Sequence, residues 1–250
     1  MKNVLKPLLL IGLLGATPLA YAESGMMNLV TITGGEGAQS YSTKLEILIL
    51  MTLLGFVPSL VIMCTCFTRI IIVLSLLRQA LGLQQSPPNQ VLIGIALIFT
   101  VLIMRPVGER MYEQAYLPYS TGQINVMEAL ELAEKPLREY MIAQTELTTY
   151  DKVLEIAEEP STLKIEDAPF LLVLPAYLLS ELKAAFQIGF MIFLPFLAID
   201  LIVASVLMAM GMMMLSPLIV SLPFKLMLFV SLDGWSLIMS SLSSTFWINT

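Results

Sequence analysis

The chain has 250 residues, 57% of them hydrophobic and 13% charged, with a mean hydropathy of +0.85 and a net charge of −6. Soluble domains average about 25% charged residues, so this composition excludes a disordered chain, a secreted disulfide scaffold and an ordinary soluble enzyme. Histidine is absent, which also excludes His triads, His general bases and His metal ligands. A polytopic membrane protein remains.

Residues 1–22 read as a cleavable secretory leader. Lys2 and Lys6 precede an apolar run from Leu8 to Leu14, and Ala20-Tyr21-Ala22 stands before Glu23. This is the basic, apolar and A-x-A order of a signal peptide, with cleavage expected between Ala22 and Glu23. The run is shorter than the about 20 residues of a comfortable span. Removal of the leader would place residue 23 on the outer side of the membrane.

Residues 23–45 form an outer segment rich in Gly, Ser and Thr, a loop signal. Residues 46–107 are expected to make a first hydrophobic hairpin. Ile47 to Thr68 carries no charge and is the cleanest span, with a kink expected at Pro58. Cys64 and Cys66 lie near its end. Two residues apart on a helix, they point to different faces, so they read as buried small hydrophobes rather than a disulfide or metal site. Arg69 and Arg78 then follow on the inner side, in accord with the positive-inside rule. After the polar break at Pro87-Pro88, Val91 to Met104 is too short to span alone at about 1.5 Å per residue.

Residues 108–168 are a different material. They hold 13 of the 19 acidic residues and five of the 13 basic ones, a net charge of −8 that leaves the rest of the chain at +2. Val126, Leu130, Ala133, Leu137 and Met141 recur at helical spacing, which predicts an amphipathic helix. A second short helix is expected from a cap at Thr149-Tyr150-Asp151 to Ala157, with Pro160 stopping it. This acidic region is placed outside, in a bacterial periplasm, as mostly solvated helix.

Residues 169–250 are apolar almost throughout. Pro169, Pro175 and Pro195 are expected to interrupt the first half, and turns are expected at Ser216-Pro217 and Leu222-Pro223. The predicted fold class is therefore all-α: an integral membrane protein of kinked helical hairpins with about four hydrophobic segments.

An intramembrane carboxylate costs roughly 2.5–3.5 kcal/mol on insertion scales, so Asp200 and Asp233 need partners or water. One reading is an ion relay in a small-solute transporter. An aspartyl intramembrane protease is a weaker one, because the G-x-G-D context is missing. The plainer reading pairs these acids with Lys183, Lys225 or an arginine at a helix or subunit contact. No nucleophile elbow or phosphate-cradling loop occurs, so the chain does not read as an enzyme, and no cofactor, metal or nucleic acid is implied. The most unusual feature is methionine: five of 17 fall at Met208, Met210, Met212, Met213 and Met214. Met212–Met214 point in different directions on a helix, so no single packing face explains them. Around an axis shared by several copies they would form a deformable apolar constriction.

Four strings carry a resemblance: RQALGLQQSPPNQVLIGIAL (78–97), LPAYLLSELKAAFQIGF (174–190), DLIVASVLMAMGMMML (200–215) and SLPFKLMLFVSLDGW (221–235). They resemble the FliP/SctR family of type III secretion export-gate proteins, in the same order from about Leu45 to Leu242. The leader and long acidic segment fit the flagellar branch better than the injectisome paralogues. The resemblance implies assembly into a helical or ring-like hetero-oligomer: several copies of the chain, five in the family, joined by FliQ and FliR and then FlhB and FlhA, with FliO as an assembly chaperone. It implies a multi-pass inner-membrane location within the flagellar basal body, extending toward the periplasm. Unfolded rod, hook and filament proteins would pass through the centre, with Met212, Met213 and Met214 as the channel gasket. It also suggests Arg138 and Glu181 as ion-pair members at subunit contacts, with Lys183, Asp200 and Asp233 as further candidate charges there.

Overall fold

The computed structural model describes residues 39–83, 86–212 and 215–246. The leader and its cleavage site lie outside them. The helices in chain order are α1 (Gln39–Met63), α2 (Phe67–Ala80), α3 (Asn89–Ile103), α4 (Arg105–Met111), a π-helical turn (Tyr112–Tyr116), α5 (Leu117–Ser120), α6 (Val126–Gln144), α7 (Leu147–Ile156), α8 (Phe170–Ala209), α9 (Pro217–Ser231) and α10 (Gly234–Ser244). No strand occurs among the described residues. The chain divides into two units, residues 1–57 and 58–250. Of the first, the structure describes the opening of α1, whose side chains from Ile47 onward are exposed wherever they are described.

In the second unit the core forms where α2 packs along α8. Arg69, Ile70, Val73, Leu74 and Leu77 make a buried stripe on α2, and Val173, Ala176, Tyr177, Ser180, Glu181, Ala185 and Gly189 make its counterpart on α8. Both follow the three-and-four spacing of one helix face. Gly189 allows the close approach: a Cβ there would sit 2.2 Å from Leu76 Cδ1 and 3.2 Å from Leu76 Cβ. Cys64 and Cys66 are free thiols buried in the same core.

Helix α8 departs from the expectation of interrupted apolar runs. It is continuous for 40 residues, through Pro175 and Pro195, and at about 1.5 Å per residue it runs about 60 Å, twice the hydrocarbon thickness of a bilayer. Each interior proline removes one main-chain hydrogen bond. The long buried stripe against α2 holds the helix together across those gaps. Pro223 departs similarly: it lies inside α9, whereas Pro217 occupies the first turn, where its missing N–H costs nothing. Helix α7 begins at Leu147, ahead of the expected cap, because the Glu146 carbonyl accepts from the N–H groups of Thr149 and Tyr150 and so closes the first turn.

By length and composition α8 is the one described helix able to cross a membrane by itself, and up to four spans result if each bent helix pair counts as one. Two bends have clear causes. Helix α3 and the helical run Arg105–Ser120 meet at 57°, with Pro106 in the first turn after the bend. Helices α9 and α10 meet at 65°, where Asp233 takes a left-handed conformation with φ 47° that Asp tolerates better than most residues. The acidic segment makes α6 and α7. Asn125 and Glu128 close a reciprocal capping box on α6, and the expected stripe is buried at Met141 but open at Val126 and Leu130.

Replacing Gly189 by Val should destabilise the protein by about 1–3 kcal/mol through overpacking. Gly108→Ala, where nothing lies within 4 Å of an added Cβ, should be neutral or stabilising by up to about 1 kcal/mol. Thermal unfolding of the two variants in detergent checks the contrast.

Candidate functional site

Three charged side chains in the apolar core are matched within the chain. Arg69 and Glu181 are both buried, and Arg69 grips the carboxylate with two N–H groups, the Nε–Oε2 contact being 2.9 Å. The rest of the guanidinium is used as well: Nη1 donates to Thr245 Oγ1 at 3.1 Å and Nη2 to Gln144 Oε1 at 3.1 Å. Its carbon lies 4.2 Å from the centroid of the Phe246 ring, a cation–π distance. One side chain thus ties together α2, α6, α8 and the residues after α10. Charge-assisted, bidentate pairing of this kind is the strongest hydrogen bonding available to a protein. Tyr140 and Tyr177 pack edge to face beside this centre, their hydroxyls buried without a hydrogen-bond partner among the described residues.

The second centre lies on the α8–α9 hairpin. Lys225 Nζ donates to Asp200 Oδ2 at 2.7 Å and to the Ala80 carbonyl at 3.0 Å, while Ser221 Oγ donates to Asp200 Oδ1 at 2.5 Å. Lys225 is buried and Asp200 partly so. Ala80 ends α2, so the ammonium also meets the negative end of that helix dipole. The pair braces the hairpin about 14 Å below its tip, at 1.5 Å per residue from Asp200 to Ala209.

At that tip α8 ends in a double hydrogen-bonded cap. The Gly211 N–H bonds the Met208 carbonyl and the Met212 N–H bonds the Leu207 carbonyl, each at 3.0 Å, with Gly211 at φ 74°. This is the Schellman arrangement, which favours glycine at its left-handed position. Helix α9 begins at Pro217, after Ser216. Met208, Met210 and Met212 are exposed. Met213 and Met214 lie outside the described residues.

The other candidate charges are placed apart. Arg138 and Glu181 do not meet within the chain: Glu181 is taken up by Arg69. Arg138 donates to the carbonyls of Glu166 (3.1 Å) and Ala168 and lies 3.8 Å from Glu134, so it braces the loop before α8. Lys183 pairs with Glu146 at 2.6 Å on the surface. The ammonium holds the Glu146 carboxyl below its usual range. The contribution of that bond is therefore present above the ordinary carboxylate pKa and lost as pH falls through the lowered one. Asp233 is exposed, makes no ion pair among the described residues, and serves as the corner between α9 and α10. No hydrogen bond joins Asp200 to Asp233, and no group of three metal-ligating side chains occurs among the described residues.

Sequence reasoning missed the role of Arg69. It read as the residue ending an apolar run, yet it is as buried as the core around it. The available signal was that Arg69 and Glu181 each stand in long apolar stretches and carry opposite signs, which calls for a partner.

The FliP family model matches residues 50–242. The chain belongs to the FliP family. It is 50% identical over 239 residues to the flagellar biosynthetic protein FliP of Pectobacterium carotovorum, covering 96% of this chain and 92% of that protein. It is 44% identical over 221 residues to its counterpart in Bacillus subtilis, covering 88% of this chain and all of that protein. The chain is accordingly a helical membrane component of the flagellar export apparatus. The matched region contains Arg69, Glu181, Asp200, Lys225 and the methionine loop.

Removing Lys225 by Lys225→Met strands Asp200 and the Ala80 carbonyl, and should cost about 1.5–3 kcal/mol. Lys183→Met breaks only an exposed pair and should cost under about 1 kcal/mol. Chemical denaturation in detergent at neutral pH distinguishes the two.

Proposed function

We propose that the chain is a non-enzymatic channel subunit of the flagellar export gate. Several copies, five by family resemblance, join FliQ and FliR in a ring in the inner membrane that extends toward the periplasm, with FlhB and FlhA beside it and FliO assisting assembly. Unfolded rod, hook and filament proteins pass through the middle. The observation that carries this reading is the exposed methionine cluster at the end of α8. A glycine cap ends α8 within the cluster, and a buried lysine–aspartate pair braces the hairpin that presents it.

Methionine suits such a constriction. Its side chain is unbranched, flexible and polarizable, so a collar of several copies closes on itself without polar groups that would solvate an ion. The same side chains yield around a polypeptide of any sequence. Arg138, Glu181, Lys183, Asp200 and Asp233 enter this reading as charges near subunit contacts. Glu181 and Asp200 act by holding helices in place. The transporter reading needs Asp200 and Asp233 to exchange an ion together, and Asp200 is held by Lys225 and Ser221 while Asp233 stands at the exposed α9–α10 corner, so it has the weaker support.

Replacing Met212, Met213 and Met214 together by Ala should leave the complex with FliQ and FliR intact while raising small-ion conductance through the closed gate. The measurement is single-channel recording of purified complexes in planar bilayers. Conductance equal to that of the unmodified complex would remove the gasket role.

A further inference from the structure

Helices α6 and α8 pack together, and their polar side chains meet as rungs at a constant offset in sequence. Glu146, just past the end of α6, pairs with Lys183 at an offset of 37 positions. Gln144 and Glu181, at that same offset, meet through Arg69, which donates to both. One turn back on each helix stand Tyr140 and Tyr177, again at that offset. Their rings pack edge to face, with centroids 6.1 Å apart and planes at 64°. A constant offset means that the two helices run in the same direction, so the three rungs lie in order along one contact.

The first rung is closed by an ion pair and the second by the guanidinium. The third has a hydroxyl on each side. Both hydroxyl oxygens are buried, and neither has a hydrogen-bond partner among the described residues, the other tyrosine included. Tyr177 is fully out of solvent and Tyr140 is 3% exposed. Native interiors pair nearly all such groups, because a hydroxyl taken out of water and given nothing back weakens the fold. Phe would fill both places without that cost.

We infer that one bound water closes this third rung, accepting from one tyrosine hydroxyl and donating to the other. Each hydroxyl offers one O–H and two lone pairs, so the two together meet the minimum of two polar partners that a buried water needs. Other small occupants fit worse. A hard cation such as calcium takes about six to eight oxygens, and two neutral hydroxyls supply neither the number nor the charge. An apolar group leaves both hydroxyls unpaired. The water stands one turn from the Arg69–Glu181 pair and pins the acidic segment to α8 at a second buried point.

The test compares Tyr140→Phe, Tyr177→Phe and the double variant, each unfolded by chemical denaturant as the full chain in detergent. Each single change strands the remaining hydroxyl and should lower the folded-to-unfolded ratio by about tenfold. The double change removes both ends, and should lie closer to the unmodified chain than either single variant does. A single variant as stable as the unmodified chain, or more stable, would overturn the inference, since that hydroxyl had no partner to lose. Losses that add in the double variant would overturn it too, because each hydroxyl then has a partner of its own. A second measurement needs no variant. A cryo-electron microscopy map of the assembled complex, at a resolution that shows ordered water, should place a peak within about 3.2 Å of both hydroxyl oxygens. The two oxygens in direct contact, with no peak between them, would overturn the bridge even where the variants fail to fold.

Discussion

A guanidinium and a carboxylate buried together impose the strictest condition on this fold. Arg69 and Glu181 are both removed from solvent. Left unpaired, either would cost several kcal/mol. Pairing them fixes the register of α2 against α8, and the remaining Arg69 donors fix the end of α6 and the residues after α10. Four segments separated by up to 176 positions in sequence therefore meet at one side chain. Breaking a buried pair on one side typically costs about 3–5 kcal/mol, so each of these segments is held by an interaction that apolar packing cannot replace by sliding.

The rest of the molecule is arranged from that fixed point. With α2 and α8 locked, the far end of α8 is carried about 60 Å from its start, beyond the reach of the acidic segment. There the Lys225–Asp200 pair repeats the same device on a smaller scale, joining α8, α9 and the end of α2. The methionine loop sits just past this second brace. In the proposed gate a compliant constriction works only if its supports do not move, and the two buried pairs would supply that support. On α8, Phe186, Phe190, Met191, Leu197, Leu201 and Ile202 are apolar and exposed. In the proposed gate, lipid and neighbouring subunits would cover these side chains.

Much of this was legible in the sequence. Hydropathy and the absence of histidine gave the class, periodicity gave α6, and four long strings gave the family. What was not legible has physical reasons. Pro175 and Pro195 read as breaks because local propensity penalises them, yet tertiary packing along α2 overrides that penalty and keeps α8 whole; Pro223 likewise lies inside α9. Thr149 read as a cap, while the Glu146 backbone does the capping. Arg69 read as a flank of a span, because its partner lies 112 positions away and periodicity carries no information over that separation. Glu181 was singled out, but with Arg138 as its proposed mate. Arg138 spends its donors on the carbonyls of Glu166 and Ala168 instead, a use that sequence pattern cannot distinguish from an ion pair.

The central claim is that the Arg69–Glu181 pair forms inside each chain and organises the subunit before any assembly. Charge reversal in cis and in trans tests it most directly, read out as folded protein in the membrane and as swimming motility. Arg69→Glu or Glu181→Arg alone should abolish both, the two reversals in one chain should restore folded protein, and cells making the two singly reversed chains together should remain defective. Recovery by the two singly reversed chains, without recovery by the doubly reversed one, would show that the pair joins neighbouring subunits and would contradict the account.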